Sequence, residues 1–194
     1  QQVGALLRAI NGYTGTATVC AALKLAPLFF VRPGELRRAE WAHIDLDAGE
    51  WRYFVTKTKA DHIAPLCRQA VEILRELQLL TGEGRYVFPS ARGGAKPLSD
   101  NAILAALRRM GIDKDEMSGH GFRAMARTIL DEVLNVRVDL IEHQLAHAVR
   151  DANGRACNRT AHLPERRKMM QQWADYLDGL AANNVIAGKF GKAA

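Results

Sequence analysis

The sequence predicts an α+β domain that is mainly α-helical and carries one small antiparallel β-hairpin. Most of the chain shows apolar residues at helical spacing, whereas apolar and polar residues alternate only between residues 51 and 59. The chain has 194 residues, of which 48% are hydrophobic and 25% charged, as in ordinary globular proteins. A chain of this length buries a sizeable core without a disulfide or structural metal. We therefore expect one domain with no internal boundary.

The first predicted element is a buried helix over residues 16–30, where apolar side chains are dense. The Pro33-Gly34 pair interrupts the apolar pattern just after Arg32. Arg32 is therefore expected at a helix end, beside a turn.

The second predicted element is a β-hairpin. Alternation from Trp51 to Lys59 predicts a strand that places Lys57 and Lys59 on the same face. Ala60-Asp61 are expected to turn the chain back into a second strand, which Pro65 should confine to an edge of the sheet. The tip of this hairpin would then carry two lysines.

Five helices are predicted along the rest of the chain: residues 71–80, residues 100–110 with Ser99 as N-cap, a helix after Gly121, residues 138–147, and a helix opened by Pro164. In the helix after Gly121, the predicted core stripe consists of Phe122, Ala126, Ile129 and Val133.

Charge and cysteine content restrict the function classes. With 27 Lys and Arg against 21 Asp and Glu, the formal net charge is +6, which permits a nucleic-acid partner without requiring one. The apolar run over residues 19–31 is too short to cross a bilayer. Three cysteines without close spacing argue for a reducing cytoplasm and against a disulfide framework. The chain start shows neither an initiator Met nor a signal peptide, so we expect a piece of a longer protein.

Two groups of residues suggest chemistry. His120, Arg123 and Arg127 should share one flank of the helix after Gly121, where the arginines could grip a phosphate. His143 and His147 have the spacing of a zinc-binding pair, but Gln144 stands where a zinc protease has its glutamate, and no third ligand is close in sequence. No metal site is predicted, and the histidines are more simply surface or core residues.

Five motifs occur in a characteristic order: Arg32-Pro33-Gly34-Glu35-Leu36, Thr56-Lys57-Thr58-Lys59 with Ile63-Ala64-Pro65-Leu66, His120-Gly121-Phe122-Arg123, Leu145-Ala146-His147, and Arg155-Ala156-Cys157-Asn158-Arg159. In this order they resemble the catalytic domain of tyrosine recombinases, in the subgroup of integrases from satellite phages and genomic islands. The resemblance runs from about Leu6 to about Leu180. Residues 165–178 also resemble that subgroup's C-terminal helix.

The resemblance implies metal-independent and cofactor-free cutting of double-stranded DNA through a 3′-phosphotyrosine intermediate. Arg32 and Arg123 match the arginines that clamp the scissile phosphate, and Lys57 matches the general acid, with Lys59 as the alternative. His120 and His147 match the two histidines of the site.

Further residues are assigned supporting or DNA-contacting roles by the same likeness and by charge. Glu35 matches an acidic position that supports the arginine site. Lys59, Arg127, Arg155 and Arg159 are expected to contact DNA.

The chain departs from the family at the nucleophile. The family tyrosine follows the second histidine by nine or ten residues, and position 157, ten after His147, holds Cys157. A thiol side chain is shorter than tyrosine by a whole ring, so we expect this chain to keep the phosphate site and to lose strand cleavage.

The resemblance also implies an organisation. Residues 1–194 would be the C-terminal catalytic domain of a longer integrase, with residues 181–194 as a flexible tail. Its partners would be attachment-site DNA and, in the full-length protein, three further copies in a synaptic tetramer. The isolated domain is expected to be monomeric, without membrane contact, in the cytoplasm of a bacterial host.

Three other interpretations of the function remain open. A type IB topoisomerase shares the chemistry but relaxes supercoils. A non-catalytic DNA-binding protein derived from an integrase would fit Cys157. A metal protein using His143 and His147 would require bound zinc.

Overall fold

The computed structural model describes residues 2–147 and 162–182. Within these residues the helices are α1 (Gln2–Gly12), α2 (Ala17–Phe29), α3 (Pro33–Arg37), α4 (Arg68–Thr81), α5 (Ala102–Arg109), α6 (Gly121–Glu132), α7 (Val138–Gln144) and α8 (Leu163–Ala182). The strands are β1 (Ile44–Asp45), β2 (Glu50–Val55), β3 (Ala60–Pro65), β4 (Pro89–Ser90) and β5 (Gly93–Pro97), and a 3-10 turn, Trp41–His43, precedes β1. The predicted fold class, mainly helical with small antiparallel sheets, is confirmed.

Helix α2 forms the centre of the molecule, with α1, α4, α5, α6 and α8 packed around it. Pro27 lies inside α2, and its carbonyl accepts a hydrogen bond from the Trp173 indole of α8 at 2.9 Å. Phe30 follows with φ +38°, a left-handed conformation in which its N–H caps the helix at Ala26. Its buried ring packs edge-on against Trp173, 6.0 Å between centroids, so α2 ends at a fixed point just before Arg32.

The predicted hairpin exists, and β3 lies at the edge of the sheet order β1-β2-β3 as Pro65 requires. The predicted position of its turn was wrong, because β2 ends at Val55 and residues 56–59 form the turn. After Val55, none of the side chains that continue the alternating pattern is buried, so burial does not stabilise a longer strand. Lys57 and Lys59 therefore lie in the turn, Lys59 with φ +49°, and do not share a strand face.

Three helix predictions need correction at their ends. Asn101, not Ser99, precedes α5, and no side chain caps that helix. Helix α7 ends at Gln144, so His147 lies beyond it and not on the same helix as His143. In α6 the buried positions are Phe122, Arg123, Ala126 and Leu130, whereas Val133 is 52% exposed.

Several elements have no counterpart in the prediction, and the largest are α1 and a second hairpin. Helix α1 packs along α8, and Gly4 approaches the Leu180 carbonyl so closely that a Cβ there would lie 2.5 Å from the oxygen. Strands β4 and β5 form a second hairpin in the Gly-rich stretch interpreted as a loop. The expected tail begins with Ala181 and Ala182, which complete α8, and residues 183–194 lie outside the described residues.

Candidate active site

Arg32 is held by a carboxylate from its own turn. It occupies the N-cap of α3, where its backbone N–H donates to Glu35 Oε2 at 3.0 Å and its Nη1 donates to Glu35 Oε1 at 2.8 Å. The Tyr53 hydroxyl, from β2, donates to the same Oε2 at 3.3 Å. Burial raises the pKa of the Tyr53 hydroxyl well above its ordinary value, and the Glu35 charge raises it further, so the hydroxyl stays a donor. One carboxylate thus joins the Arg32 turn to the first hairpin.

Arg123 is a buried guanidinium held by backbone carbonyls. Its Nη1 donates to the Phe30 carbonyl at 2.9 Å, and its Nη2 donates to the Leu145 carbonyl at 2.8 Å. Burial lowers the pKa of Arg123, the nearby positive charge of Arg32 lowers it further, and Glu35 opposes both effects. Because Phe30 precedes Arg32 by two residues, both arginines are anchored at the same end of α2.

His147 continues this arrangement on the side of α7. Arg123 Nη2 lies 3.3 Å from His147 Nε2, and His147 Nδ1 is hydrogen-bonded to Glu142 Oε2. Glu142 also accepts a hydrogen bond from Arg127 Nε at 2.9 Å. Burial raises the pKa of the Glu142 carboxyl, but the hydrogen bonds from His147 and Arg127 outweigh it and the net pKa is lowered.

His120 and Lys57 flank the two arginines. His120 is exposed at the N-cap of α6, three residues before Arg123. The preceding Gly119 packs so closely on Pro33 that a Cβ at Gly119 would lie 2.8 Å from the proline Cγ. The backbone that carries His120 therefore lies beside the Arg32 turn. Lys57 is exposed in the turn that follows β2, the strand that carries Tyr53.

The structure brings together Arg32, Glu35, Arg123 and His147 from the predicted set, with His120 close by through the backbone. The flank expected to lie away from the core is partly buried, because Arg123 is only 9% exposed whereas Arg127 is exposed. The predicted residues Arg155, Cys157 and Arg159 lie outside the described part of the chain.

Sequence reasoning missed two residues of this site. Tyr53 could have been found, because strand alternation places it on the face that also carries Trp51, whose side chain is 1% exposed. Glu142 gave no signal, since its contact with His147 depends on how the chain turns after α7.

The histidine pair considered for zinc is separated in the structure. Both ring nitrogens of His147 already face Glu142 and Arg123, while the His143 ring packs on the His162 ring with 5.6 Å between centroids. Among residues 2–147 and 162–182, no group of three His, Cys, Asp or Glu side chains is placed to hold a metal ion.

Two guanidinium groups and an imidazole that meet near one end of α2 have the chemistry to bind an oxyanion. Arginine N–H groups match the spacing of two phosphate oxygens, and their fixed positions stabilise charge that develops on those oxygens. The anchors of Arg123 are carbonyls rather than carboxylates, so hydrogen bonds hold it without neutralising its charge.

Comparison with known proteins agrees with this chemistry. The sequence pattern of the phage integrase family matches residues 1–152, which is more than half of the chain. The chain therefore belongs to the phage integrase family. It is 42% identical over 189 residues to the integrase of Enterobacteria phage P4, covering 89% of this chain and 43% of that protein. It is 39% identical over 172 residues to the prophage integrase IntZ of Escherichia coli strain K12, covering 88% and 42%.

Solved structures show the same fold. The integrase from mycobacterium phage Brujita superposes with a TM-score of 0.68 at 18% identity, covering 92% of this chain and 62% of that one. The XerA recombinase superposes with a TM-score of 0.61 at 19% identity, covering 76% and 54%. The chain spans less than half of the length of the two relatives named above. No helix in the described residues is long and apolar enough to cross a membrane.

Proposed function

We propose that this chain is the C-terminal catalytic domain of a longer site-specific recombinase that integrates phage or genomic-island DNA. The proposal rests on one observation, which is that Arg32 and Arg123 are both anchored at one end of α2. Glu35 is hydrogen-bonded to Arg32, and His147 lies beside Arg123. This arrangement presents fixed positive charge to one phosphate group. The family match and the relatives' names as integrases support the same reaction.

In the proposed reaction, a tyrosine hydroxyl attacks the scissile phosphorus, and its proton passes to His120 or to solvent as the new phosphorus–oxygen bond forms. The bond from phosphorus to the 5′ oxygen breaks, and that oxygen takes a proton from Lys57. Arg32 and Arg123 stabilise the negative charge on the non-bridging oxygens, His147 lies near the leaving or attacking oxygen, and His120 hydrogen-bonds the phosphate or assists the nucleophile. The flexible ammonium of Lys57 in an exposed turn suits a proton donor, and Lys59 is the alternative.

We propose further that this chain is defective in strand cleavage. Cys157 occupies the position of the tyrosine in the family motif. Its sulfur lies on a side chain several ångströms shorter than tyrosine, and attack on phosphorus requires a near-attack distance of about 3 to 3.5 Å. The phosphate site would then bind DNA without cutting it.

The test is the Cys157→Tyr variant in the full-length protein, incubated with a nicked suicide substrate that carries the cognate site. We expect a protein–DNA adduct that survives denaturation, while the unaltered chain gives none. Cys157→Phe supplies the ring without the hydroxyl and should also give none. A folded Cys157→Tyr protein that binds the site but forms no adduct would contradict the proposed recombinase function.

Cys157 itself favours a second candidate, a DNA-binding protein that descends from an integrase and no longer recombines. That function predicts salt-dependent DNA binding with no cleavage even in the Cys157→Tyr variant. The adduct experiment therefore separates the two candidates.

The remaining parts of the proposal concern assembly. We propose that the full-length protein acts as a tetramer on two DNA duplexes, as the resemblance implies, and that the isolated domain is a monomer. Sedimentation of the full-length protein with site DNA measures the first state, and sedimentation of the 194-residue chain alone measures the second.

A further inference from the structure

We propose that Glu142 is a positioning residue for His147, and that Arg127 acts by holding Glu142. This inference deepens the function proposed above and rests on it. Neither residue needs to touch DNA for this role. Glu142 instead determines which nitrogen of His147 faces the phosphate site.

The contacts of His147 define its hydrogen-bonding state. Glu142 lies at Nδ1, and an ionised carboxylate only accepts hydrogen bonds, so Nδ1 carries a hydrogen. In the neutral ring Nε2 is then an acceptor, and Arg123 Nη2 donates to it at 3.3 Å. When the ring is protonated, Nε2 becomes a donor toward a phosphate oxygen, and the Glu142 charge balances the imidazolium.

Glu142 is itself kept ionised and oriented. Arg127 Nε donates to Glu142 Oε1 at 2.9 Å, which leaves Oε2 for His147. The nearest other carboxylate of Arg127, that of Asp131, is 4.0 Å away. Arg127 therefore has its short contact with Glu142, and Asp131 provides a matched control because it touches Arg127 without reaching His147.

Without Glu142, little would fix the orientation of His147. The side chain is 44% exposed and follows Ala146, whose φ of +50° places it in a turn rather than in α7. Its described partners are Glu142 and Arg123. Loss of the Glu142 contact would free the ring to rotate and to exchange tautomers, so the site would lose the alignment of Nε2.

The direct test is nitrogen-15 NMR of the histidine rings in the 194-residue chain, with His147 assigned from a His147→Gln variant. We expect the neutral ring to carry its hydrogen on Nδ1. Glu142→Ala should abolish this preference, and Glu142→Gln should restore it because the amide oxygen still accepts from Nδ1. Asp131→Asn should leave it unchanged. A hydrogen on Nε2 in the unaltered chain, or an unchanged preference in Glu142→Ala, would overturn the proposal.

The functional test uses the full-length Cys157→Tyr protein. Glu142→Ala should slow adduct formation about tenfold to a hundredfold, by analogy with the loss of outer partners of metal-binding histidines, with little change in DNA affinity. Glu142→Gln should recover part of the rate, and Asp131→Asn should match the parent. If Glu142→Ala slows cleavage without changing the His147 tautomer, Glu142 does not act through His147 and the proposal is overturned. If the Cys157→Tyr parent forms no adduct, the proposed function fails, and the NMR result still decides the role of Glu142.

Discussion

Two buried guanidinium groups stabilise different parts of the molecule. Arg123 bonds to carbonyls at the ends of α2 and α7, and its remaining N–H groups can serve a ligand. Arg166, at the start of α8, has a different set of partners, because its Nη2 donates to Gln144 Oε1 at 2.7 Å and to the Ile63 carbonyl at 2.6 Å. Its Nη2 also lies 3.3 Å from His62 Nε2. Arg166 therefore joins α7 and α8 to β3, the edge strand of the first hairpin.

The contact between Arg166 and His62 predicts an acid-dependent loss of stability. Burial and the Arg166 charge lower the pKa of His62 to about 3 from an ordinary 6.5, so the folded protein keeps this ring neutral. Below pH 6.5 the unfolded chain binds a proton here that the folded chain does not, and stability falls as the pH falls toward 3.

His62→Gln retains a hydrogen-bond acceptor for Arg166 but cannot titrate. Between pH 7 and pH 4.5, the unaltered chain should lose about 2 to 3 kcal/mol more of its free energy of unfolding than the variant. Urea unfolding at several pH values measures this difference. Equal losses in both proteins would show that His62 does not stay neutral in the fold.

At the scale of elements, burial explains which predictions held. Helix α2 was predictable because apolar residues are dense along it, and the hairpin because the strand β2 alternates up to Val55. The turn was misplaced because Thr56 to Lys59 continue the alternation in sequence without packing against anything. The end of α7 was missed for a similar reason, since Ala146 turns the chain at a φ of +50° that the sequence does not mark with glycine.

The packing of α1 on α8 predicts opposite effects for two glycines. Gly4 lies against the Leu180 carbonyl, and a Cβ there would lie 2.5 Å from a backbone oxygen, so Gly4→Ala must push the helices apart. Gly179 lies in the exposed part of α8, and a methyl group added to it would meet no neighbouring side chain or helix within 4 Å. Gly179→Ala therefore removes only the helix penalty of glycine.

We expect Gly4→Ala to destabilise the protein by about 1 to 3 kcal/mol, and Gly179→Ala to stabilise it by about 0.5 to 1 kcal/mol. Thermal and urea unfolding of the two variants measure both values. A stabilised Gly4→Ala protein would contradict the close approach of α1 and α8.

For the whole molecule, the order of motifs predicted more than any single pattern. That order indicated the family and a site containing Arg32 and Arg123, and the family match confirms the first. The interior position of Arg123 was not predictable from a helical projection, because its partners come from Phe30 and Leu145, far away in sequence. Contacts between distant turns build this site, and a single sequence does not display them.

The net charge of +6 leads to a final prediction, which concerns the salt dependence of DNA binding. If Lys57 contacts a phosphate, each such contact releases counterions, so the logarithm of the binding constant falls linearly with the logarithm of salt concentration. Lys57→Ala should reduce the slope of this line by about one and weaken binding similarly for all sequences.

Arg75→Ala is the matched control, because it removes the same unit of charge from a different place. Arg75 pairs with Asp47 at 3.1 Å, so a neighbouring carboxylate already balances its charge. We expect its slope to equal that of the unaltered chain in fluorescence anisotropy titrations from low to moderate salt. If both variants reduce the slope equally, net charge alone governs binding. The turn that carries Lys57 would then have no specific contact with the DNA. The assignment of Lys57 as the proton donor would lose its structural basis.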